Sequence, residues 1–219
     1  MKAIVLREYG GPDELRLEDV PAPKPARGEI VIRVRSVSVN RTLDCAVRAG
    51  TYPVKVHMPH VLGVDPAGEV VEVGAAAEKF KVGDRVATIS LIHCMQCKQC
   101  VKGLEANCLA SKHIGLHRWG GYAEYVALPE RNAFPIADHL SFAEGTVITR
   151  HFPMAFNLLT SKTTIKPGEW VLVMRAAGAL GSCWVQVAKM FGATVTAAAG
   201  PDERVALAKE YGADYGVNY

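Results

Sequence analysis

The stretch EWVLVMRAAGALGSCW, residues 169–184, decides the fold of the second part of the chain. It opens with a continuously apolar run at 169–174, which is typical of a strand buried on both faces of a parallel sheet. A glycine-containing turn follows, and apolar residues then recur at spacings of three and four, which predicts a helix with one apolar face. The residues of that face are Leu180, Trp184, Val187, Ala188 and Phe191.

The same pattern repeats after Gly192. Residues 193–199 form a second apolar run, and residues 201–212 form a second helical pattern with Pro201 and two acids in its first turn. Residues 214–219 begin a third strand. Strands that alternate with helices in this way predict a βαβαβ unit, and the right-handed crossover rule makes its sheet parallel.

The turn between the first strand and the helix has the pattern A-x-G-x-x-G, one residue short of a dinucleotide fingerprint. Gly178 would let the backbone approach a pyrophosphate, and Gly181 would let the helix pack closely on the strand. The strand before it and the helix after it favour dinucleotide binding over a tight turn without a ligand. The candidate cofactor-binding residues are Ala176, Ala177, Gly178, Ala179, Leu180, Gly181, Gly200 and Arg204.

The end of the second predicted strand indicates which nicotinamide cofactor is preferred. NAD sites usually place Asp or Glu there to bind the ribose 2′-hydroxyl. Here the positions are Ala199 and Gly200, and Arg204 follows one helical turn later, within reach of a 2′-phosphate. The sequence therefore favours NADP(H) over NAD(H). The alternative for Arg204 is a solvated charge on the helix surface.

Four of the six cysteines lie within residues 93–110, with the spacing C-x2-C-x2-C-x7-C. Four thiolates with no open position predict one structural zinc ion per chain. The alternatives are an iron–sulfur cluster, whose bacterial run ends in Cys-Pro, and a vacant or oxidised cluster. His93 is expected to be a loop residue and not a fifth ligand. The predicted metal ligands are Cys94, Cys97, Cys100 and Cys108.

The first part of the chain carries strand signals and little helix signal. Apolar and polar residues alternate in part at 29–39, and similar segments follow at 68–74, 82–88 and 122–128. Short strands separated by Gly and Pro turns predict an all-β, barrel-like unit up to about residue 150.

Composition narrows the class of protein. Of the 219 residues, 49% are hydrophobic and the net charge is only +3, which is ordinary for a globular protein and argues against nucleic-acid binding. No apolar run approaches the ~20 residues that span a membrane, and the N-terminus lacks the apolar core of a signal peptide. We therefore expect a cytoplasmic protein without a membrane partner, in which clustered cysteines bind metal and do not form disulfides.

These pieces together resemble the medium-chain dehydrogenase/reductase superfamily. The resemblance implies a GroES-like β-barrel catalytic domain followed by a Rossmann domain, with hydride transfer by a nicotinamide cofactor. We expect an all-β domain at 1–152, with the zinc lobe at 93–110, and the first half of a parallel α/β domain at 153–219. The motifs that carry the resemblance are MKAIVL at 1–6, PHVLGVDPAGEVVEVG at 59–74, KVGDRV at 81–86, GGYAEYV at 120–126, KPGEWVLV at 166–173, the cysteine lobe and the glycine turn.

The sequence departs from the family where zinc alcohol dehydrogenases hold a second, catalytic zinc. The family's G-H-E segment is Gly-Val-Asp here, so Val64 replaces the histidine. Residues 40–44 lack the expected thiol, and the third position falls near Arg150. The catalytic zinc is therefore predicted to be absent.

A displaced metal site is the alternative. It would use Cys45, His60 and Asp65, for which we otherwise expect a buried small residue, a loop residue and a turn or surface acid, respectively. Cys183, on the first predicted Rossmann helix, is expected in the core.

The resemblance implies an NADP(H)-dependent reductase of activated alkenes, quinones or enoyl substrates. Asn40 would lie near the nicotinamide, and Tyr52 would act as a donor or proton relay; the alternatives are a turn cap and a packing residue. Other possibilities are an alcohol dehydrogenase with a displaced zinc and a non-catalytic nucleotide-binding module. The substrate is expected to be a small molecule, and a homo-oligomer is possible. The family also implies a longer chain, so this one is expected to be a fragment or to need a partner.

Overall fold

The computed structural model describes residues 1–219, which form two compact units, Met1–Thr149 and Arg150–Tyr219. The domain boundary predicted after residue 152 stays a prediction, because compactness alone does not establish where a domain folds independently. No helix has the length and apolar character needed to cross a membrane.

The first unit is built from ten antiparallel strands in three sheets. A five-stranded sheet has the order β10-β6-β5-β3-β9, a three-stranded sheet has the order β2-β1-β4, and β7 pairs with β8. The strand bounds are β1 Lys2–Leu6, β2 Leu15–Asp19, β3 Glu29–Val37, β4 His60–Val61, β5 Pro66–Val73, β6 Arg85–Thr88, β7 Leu91–Ile92, β8 Lys112–His113, β9 Tyr125–Pro129 and β10 Ala133–Pro135.

The five-stranded sheet confirms the predicted strands and curls around the main core of this unit. On β3, Ile30 and Ile32 are fully buried, while Arg33 and Arg35 are exposed. Two register shifts in the pairing of β3 with β5 bend the strand, as β-bulges do. Gly68 on β5 is required at this point because an added Cβ would collide with the carbonyl group of Arg33.

Two helices of the first unit were not predicted from the sequence. Helix α1 spans Arg41–Arg48 and buries Asp44 and Val47, while α2 spans Phe142–Ile148. A capping box of Ser141 and Glu144 begins α2, so its S-x-x-E pattern was a readable signal. Both helices are short, so each contains too few residues to show a clear helical spacing of apolar side chains among the neighbouring strand patterns.

The second unit confirms the predicted βαβαβ order. Strands β11, β12 and β13 form a parallel sheet in that order. Helix α4 packs against β11 and β12, and α5 packs against β12 and β13. Cys183 is buried in the core of this unit, as predicted. The bounds are α3 His151–Asn157, a π-helical turn Leu158–Lys162, β11 Trp170–Met174, α4 Ala179–Met190, β12 Thr194–Ala199, α5 Asp202–Glu210 and β13 Tyr215–Asn218.

The prediction that β11 is buried on both faces is wrong. Trp170 and Leu172 are 67% and 61% exposed, and Tyr215 and Val217 on β13 are also exposed. Right-handed crossovers that advance in one direction place α4 and α5 on the same face of the sheet. The opposite face, which carries these side chains, therefore lacks a helix. The rings of Trp170 and Tyr215 stack on it with centroids 5.2 Å apart.

Candidate nucleotide-binding and metal sites

The four sulfur atoms of the cysteine lobe lie within 4.8 Å of one another. Sγ of Cys100 is 3.6 Å from Sγ of Cys97 and 3.9 Å from Sγ of Cys94. A tetrahedral zinc ion with Zn–S distances of ~2.3 Å places its sulfurs about 3.8 Å apart. All six cysteines of the chain are free of disulfides. The lobe therefore fits a single zinc ion, and His93 is not part of the grouped ligands.

Short turns bring these sulfurs together. The 3-10 helix Cys100–Lys102 ends at Gly103, whose φ of +71° lets the chain reverse, and a second turn at Glu105–Asn107 leads into Cys108. The backbone N–H of Cys94 donates to Sγ of Cys108 at 3.3 Å, and that of Cys97 donates to Sγ of Cys94 at 3.3 Å. Such N–H donors favour thiolates, which are the form that binds a cation.

The thiols differ in how readily they lose a proton. Backbone N–H groups, led by that of Cys100, lower the pKa of Cys97 to about 6. Burial raises the pKa of Cys100 to about 12, with a further rise from the neighbouring cysteine side chains. Four thiolates held this close repel one another, so the fully ionised set needs a bound cation.

The glycine turn at the end of β11 is shaped by close backbone contacts. The N–H of Gly178 donates to the carbonyl of Arg175 at 2.8 Å, and the N–H of Ala176 donates to the carbonyl of Ala198 on β12 at 3.0 Å. An added Cβ on Gly181 would collide with the carbonyl of Arg175. The turn therefore accepts only glycine at Gly181, and α4 begins directly against it.

Gly178 is the N-cap residue of α4 and has no side chain to bind the first-turn N–H groups. These donors, with the positive end of the helix dipole, remain available to an anion. The turn's left-handed residue is Arg175, with φ +52°, one position before the Ala176 that begins the predicted motif. Sequence reasoning overlooked Arg175 because a motif search records glycines and not the residue that replaces one.

A cavity of about 360 Å³ lies at the carboxyl ends of β11 and β12. This is the edge where open parallel α/β sheets bind their ligands. Four of the predicted residues line it; Ala176 is fully buried, and Ala179, Leu180 and Gly181 are not in the lining. The lining residues are Arg175, Ala177, Gly178, Ala199, Gly200, Pro201, Arg204 and Tyr219. Two arginines and no acidic side chain line the cavity, which suits a phosphorylated ligand.

The two residues predicted to be catalytic belong to the first unit. Asn40 is the N-cap residue of α1, but its side chain makes no cap hydrogen bond; its backbone N–H donates to Oδ2 of Asp44 at 2.8 Å. Tyr52 is half-buried against an apolar cluster that includes Leu6 and Val47. The packing alternative describes the ring of Tyr52, and the catalytic roles of both residues stay predictions.

A hydrogen-bond network around α1 was not foreseen. The hydroxyl of Tyr122 donates to Oδ2 of Asp44 at 2.5 Å, and the hydroxyl of Ser38 donates to Oδ2 of Asp65 at 2.9 Å. Burial, reinforced by the Asp44 carboxylate, raises the pKa of Tyr122. Tyr122 lies in the GGYAEYV motif and Asp44 in the residues 40–44, so the sequence contained both partners without indicating their contact.

The residues of the displaced metal site do not form a ligand group. The structure brings possible metal ligands together in the cysteine lobe, and that group does not include Cys45, His60 or Asp65. Nε2 of buried His60 lies 3.0 Å from the carbonyl of Gly115. Cys45 is exposed and His60 lies on β4, so the expectations of a buried cysteine and a loop histidine were wrong. Asp65 lies between β4 and β5 and is 1% exposed, so it is not a surface acid.

Comparison with known proteins agrees with this description. The alcohol dehydrogenase GroES-like domain matches residues 26–138, and the zinc-binding dehydrogenase family model matches residues 179–219. An alcohol dehydrogenase of Geobacillus stearothermophilus is 36% identical over the whole chain, and human quinone oxidoreductase is 31% identical over 97% of it. The crystal structure of an NAD-dependent alcohol dehydrogenase superposes on the whole chain with a TM-score of 0.95 and 40% identity.

The chain spans 64% of the Geobacillus enzyme, 57% of the human enzyme and 64% of the superposed structure. The GroES-like model alone covers more than half of the 219 residues. The folds of both units and these matches show that the chain belongs to the medium-chain dehydrogenase/reductase superfamily.

Proposed function

We propose that this chain is an NADP(H)-dependent oxidoreductase that reduces an activated alkene, quinone or enoyl-type substrate, and that its one zinc ion is structural. The observation that carries the proposal is the cavity at the glycine turn, which is lined by two arginines and no acidic side chain. An NAD site needs an acceptor for the ribose 2′-hydroxyl, whereas a 2′-phosphate needs cations.

Arg204 supports the choice of NADP(H). It is exposed at the start of α5, and its guanidinium forms no ion pair or hydrogen bond within the chain, so this group is free for a ligand. Asp202, in the same helical turn, accepts a hydrogen bond from the amide of Asn218 at 2.7 Å. A structural relative is named an NAD-dependent enzyme, so the binding experiment compares ligands with and without the 2′-phosphate.

The proposed substrate class follows from the residues at the family's catalytic zinc position. Val64 is buried and apolar, and valine offers no ligand atom. Without a Lewis acid, a carbon–carbon double bond conjugated to a carbonyl is easier to reduce than an isolated ketone, because the charge spreads into an enolate. When bound, the nicotinamide supplies the hydride. Asn40 and Tyr52 are the proposed hydrogen-bond donors that orient the substrate carbonyl.

An alcohol dehydrogenase is the second candidate, favoured by the names of the Geobacillus relative and of the superposed structure. Such an enzyme needs a second metal ion, for which the described side chains offer no second ligand group. A nucleotide-binding module without turnover is the third candidate, because the second unit contributes three parallel strands and a cavity at the carboxyl ends of β11 and β12.

The test has two parts. Calorimetry compares adenosine 2′,5′-bisphosphate with 5′-AMP, and we expect tighter binding of the bisphosphate by tenfold or more, since charge-assisted contacts contribute ~1.5–3 kcal/mol. Oxidation of NADPH is then followed with a quinone, an enoyl thioester and a simple ketone. Activity on the ketone with two metal ions per chain would support the alcohol dehydrogenase. Nucleotide binding without any hydride transfer would support the binding module.

A further inference from the structure

Arg175 occupies a backbone conformation that normally belongs to glycine. Its φ is +52°, in the left-handed region that L-residues with a Cβ adopt only at a cost. A glycine there would carry no such cost. Strained residues cluster at binding and active sites, where the surrounding structure maintains them. Arg175 thus occupies a position at which the backbone conformation favours glycine over any residue with a side chain.

The neighbouring atoms hold Arg175 in place. Its carbonyl accepts the N–H of Gly178 at 2.8 Å, and the next residue, Ala176, is tied to β12 through the carbonyl of Ala198 at 3.0 Å. The peptide group that follows Arg175 is therefore fixed at both its carbonyl and its N–H. A fixed backbone directs the start of the side chain, so the guanidinium is presented from a rigid base and not from a mobile loop.

Arg175 and Arg204 line the same cavity from two different elements. Arg175 follows β11, while Arg204 lies in the first turn of α5 after β12. Neither side chain has a carboxylate partner or a hydrogen bond within the chain, and both residues are exposed. Two unpaired cations around one cavity repel each other, and this repulsion is relieved when a dianion binds between them.

We propose that Arg175 is a specificity-determining residue that binds the 2′-phosphate of NADP(H) together with Arg204. The inference rests on the proposed nucleotide function and adds a second contact to it. A phosphate monoester is a dianion with three acceptor oxygens, and two guanidinium groups match it better than one. NADP(H) is thus distinguished from NAD(H) by two guanidinium groups, one after β11 and one on α5, that bind its 2′-phosphate.

The test uses the full 219-residue chain and three ligands: adenosine 2′,5′-bisphosphate, 5′-AMP and 5′-ADP. Two variants, Arg175→Gly and Arg175→Asn, remove the charge while keeping a residue that tolerates φ +52°. We expect either variant to weaken bisphosphate binding by about tenfold or more and to leave the binding of both 5′-phosphate ligands within about twofold. In the double variant with Arg204→Ala, discrimination between bisphosphate and 5′-AMP should disappear.

Folding is monitored alongside by thermal unfolding. Arg175→Gly should unfold at the same or a higher temperature than the wild type, because the left-handed strain is relieved. Arg27→Gly is the matched control: it removes an exposed, unpaired arginine from the other unit and should leave all three affinities unchanged.

Each remaining outcome overturns the inference in a different way. Equal weakening of bisphosphate and 5′-ADP binding would assign Arg175 to the 5′-phosphates instead. Unchanged bisphosphate binding in both Arg175 variants would show that the residue does not touch the ligand. If the wild type binds none of the three ligands, the proposed nucleotide function itself fails together with the inference.

Discussion

The hydroxyl of Tyr122 donates a 2.5 Å hydrogen bond to Oδ2 of Asp44, which lies 78 residues earlier in the chain. The same carboxylate oxygen accepts the backbone N–H of Asn40 at the start of α1. One buried carboxylate thus joins the strand-rich part of the first unit to the helix that carries the proposed donor Asn40.

We expect Tyr122→Phe to reduce the free energy of unfolding of the first unit by ~1.5–3 kcal/mol, because it leaves a buried carboxylate with one donor fewer. Urea denaturation measures the change. Tyr211→Phe is the control, since that ring is partly exposed on a helix end and its hydroxyl makes no hydrogen bond. Equal stability of the two variants would mean that the contact contributes nothing.

The purified chain should contain about one zinc ion. Cys97→Ser should lose it and loosen residues 93–110, since structural zinc in small peptides contributes ~10–16 kcal/mol of apparent binding free energy. Cys45→Ser, which alters an exposed thiol outside the lobe, should keep the ion. Elemental analysis decides the result: two zinc ions per chain would contradict the proposal that the catalytic position is empty, and a stable zinc-free wild type would contradict the structural role.

His60 should make the first unit sensitive to mild acid. Burial lowers its pKa below the usual value of 6.5, so the folded state binds a proton less readily than the unfolded state. Above pH 6.5 both states are neutral at this residue and it has no pH effect. As pH falls below 6.5, the unfolded state takes up the proton first, and stability is lost until the folded pKa is reached.

The variant His60→Gln keeps an N–H donor toward the carbonyl of Gly115 but does not titrate. Between pH 7 and pH 5 the wild type should therefore lose more stability than this variant. Denaturation curves across that range measure the difference. Parallel losses in both proteins would assign the acid sensitivity to other groups, such as the cysteine lobe.

Gly181→Ala should destabilise the second unit by ~1–3 kcal/mol, because the added Cβ meets the backbone of Arg175 and Ala176. It should also weaken nucleotide binding, because the turn must shift. Gly200→Ala is the control for folding, since nothing lies within 4 Å of its added Cβ. Unchanged stability of Gly181→Ala, measured by thermal unfolding, would show that the close helix–strand contact is not required.

The helix-free face of the second unit should drive self-association. It exposes Trp170, Leu172 and Val217 on one sheet, and apolar patches of this kind promote contacts between molecules. Leu172→Lys should shift sedimentation toward the monomer, whereas Lys166→Ala, at an exposed position before the strand, should not. A wild type that is monomeric at all concentrations would contradict this expectation.

Local patterns predicted the local structure well. The βαβαβ order followed from apolar periodicity, and the cysteine lobe followed from spacing, because both depend on residues close together in the chain. Burial of β11 was mispredicted because it depends on which elements cover the sheet, and a strand's own residues do not specify that. The contact between Tyr122 and Asp44 depends on the packing of segments that are distant in the chain, so local sequence patterns did not predict it either.

Arg175 shows a further limit of motif reasoning. The sequence pattern identified the turn from its glycines, but the residue with the left-handed backbone is an arginine, and only the structure displays its φ. An alignment to a motif treats such a position as a mismatch. Here the mismatch places a second cation in the cavity at the glycine turn.

The left-handed backbone of Arg175 also places the proposed cofactor selectivity and thermal stability in conflict at a single residue. Glycine is the unstrained residue at this φ, so the substitution that would remove the proposed phosphate contact is also one that relieves backbone strain. A library of variants selected only for heat resistance should accumulate Arg175→Gly, and the proposed preference for NADP(H) would then be lost without any selection against it. We therefore expect the arginine to persist at this position only under selection for the use of NADP(H).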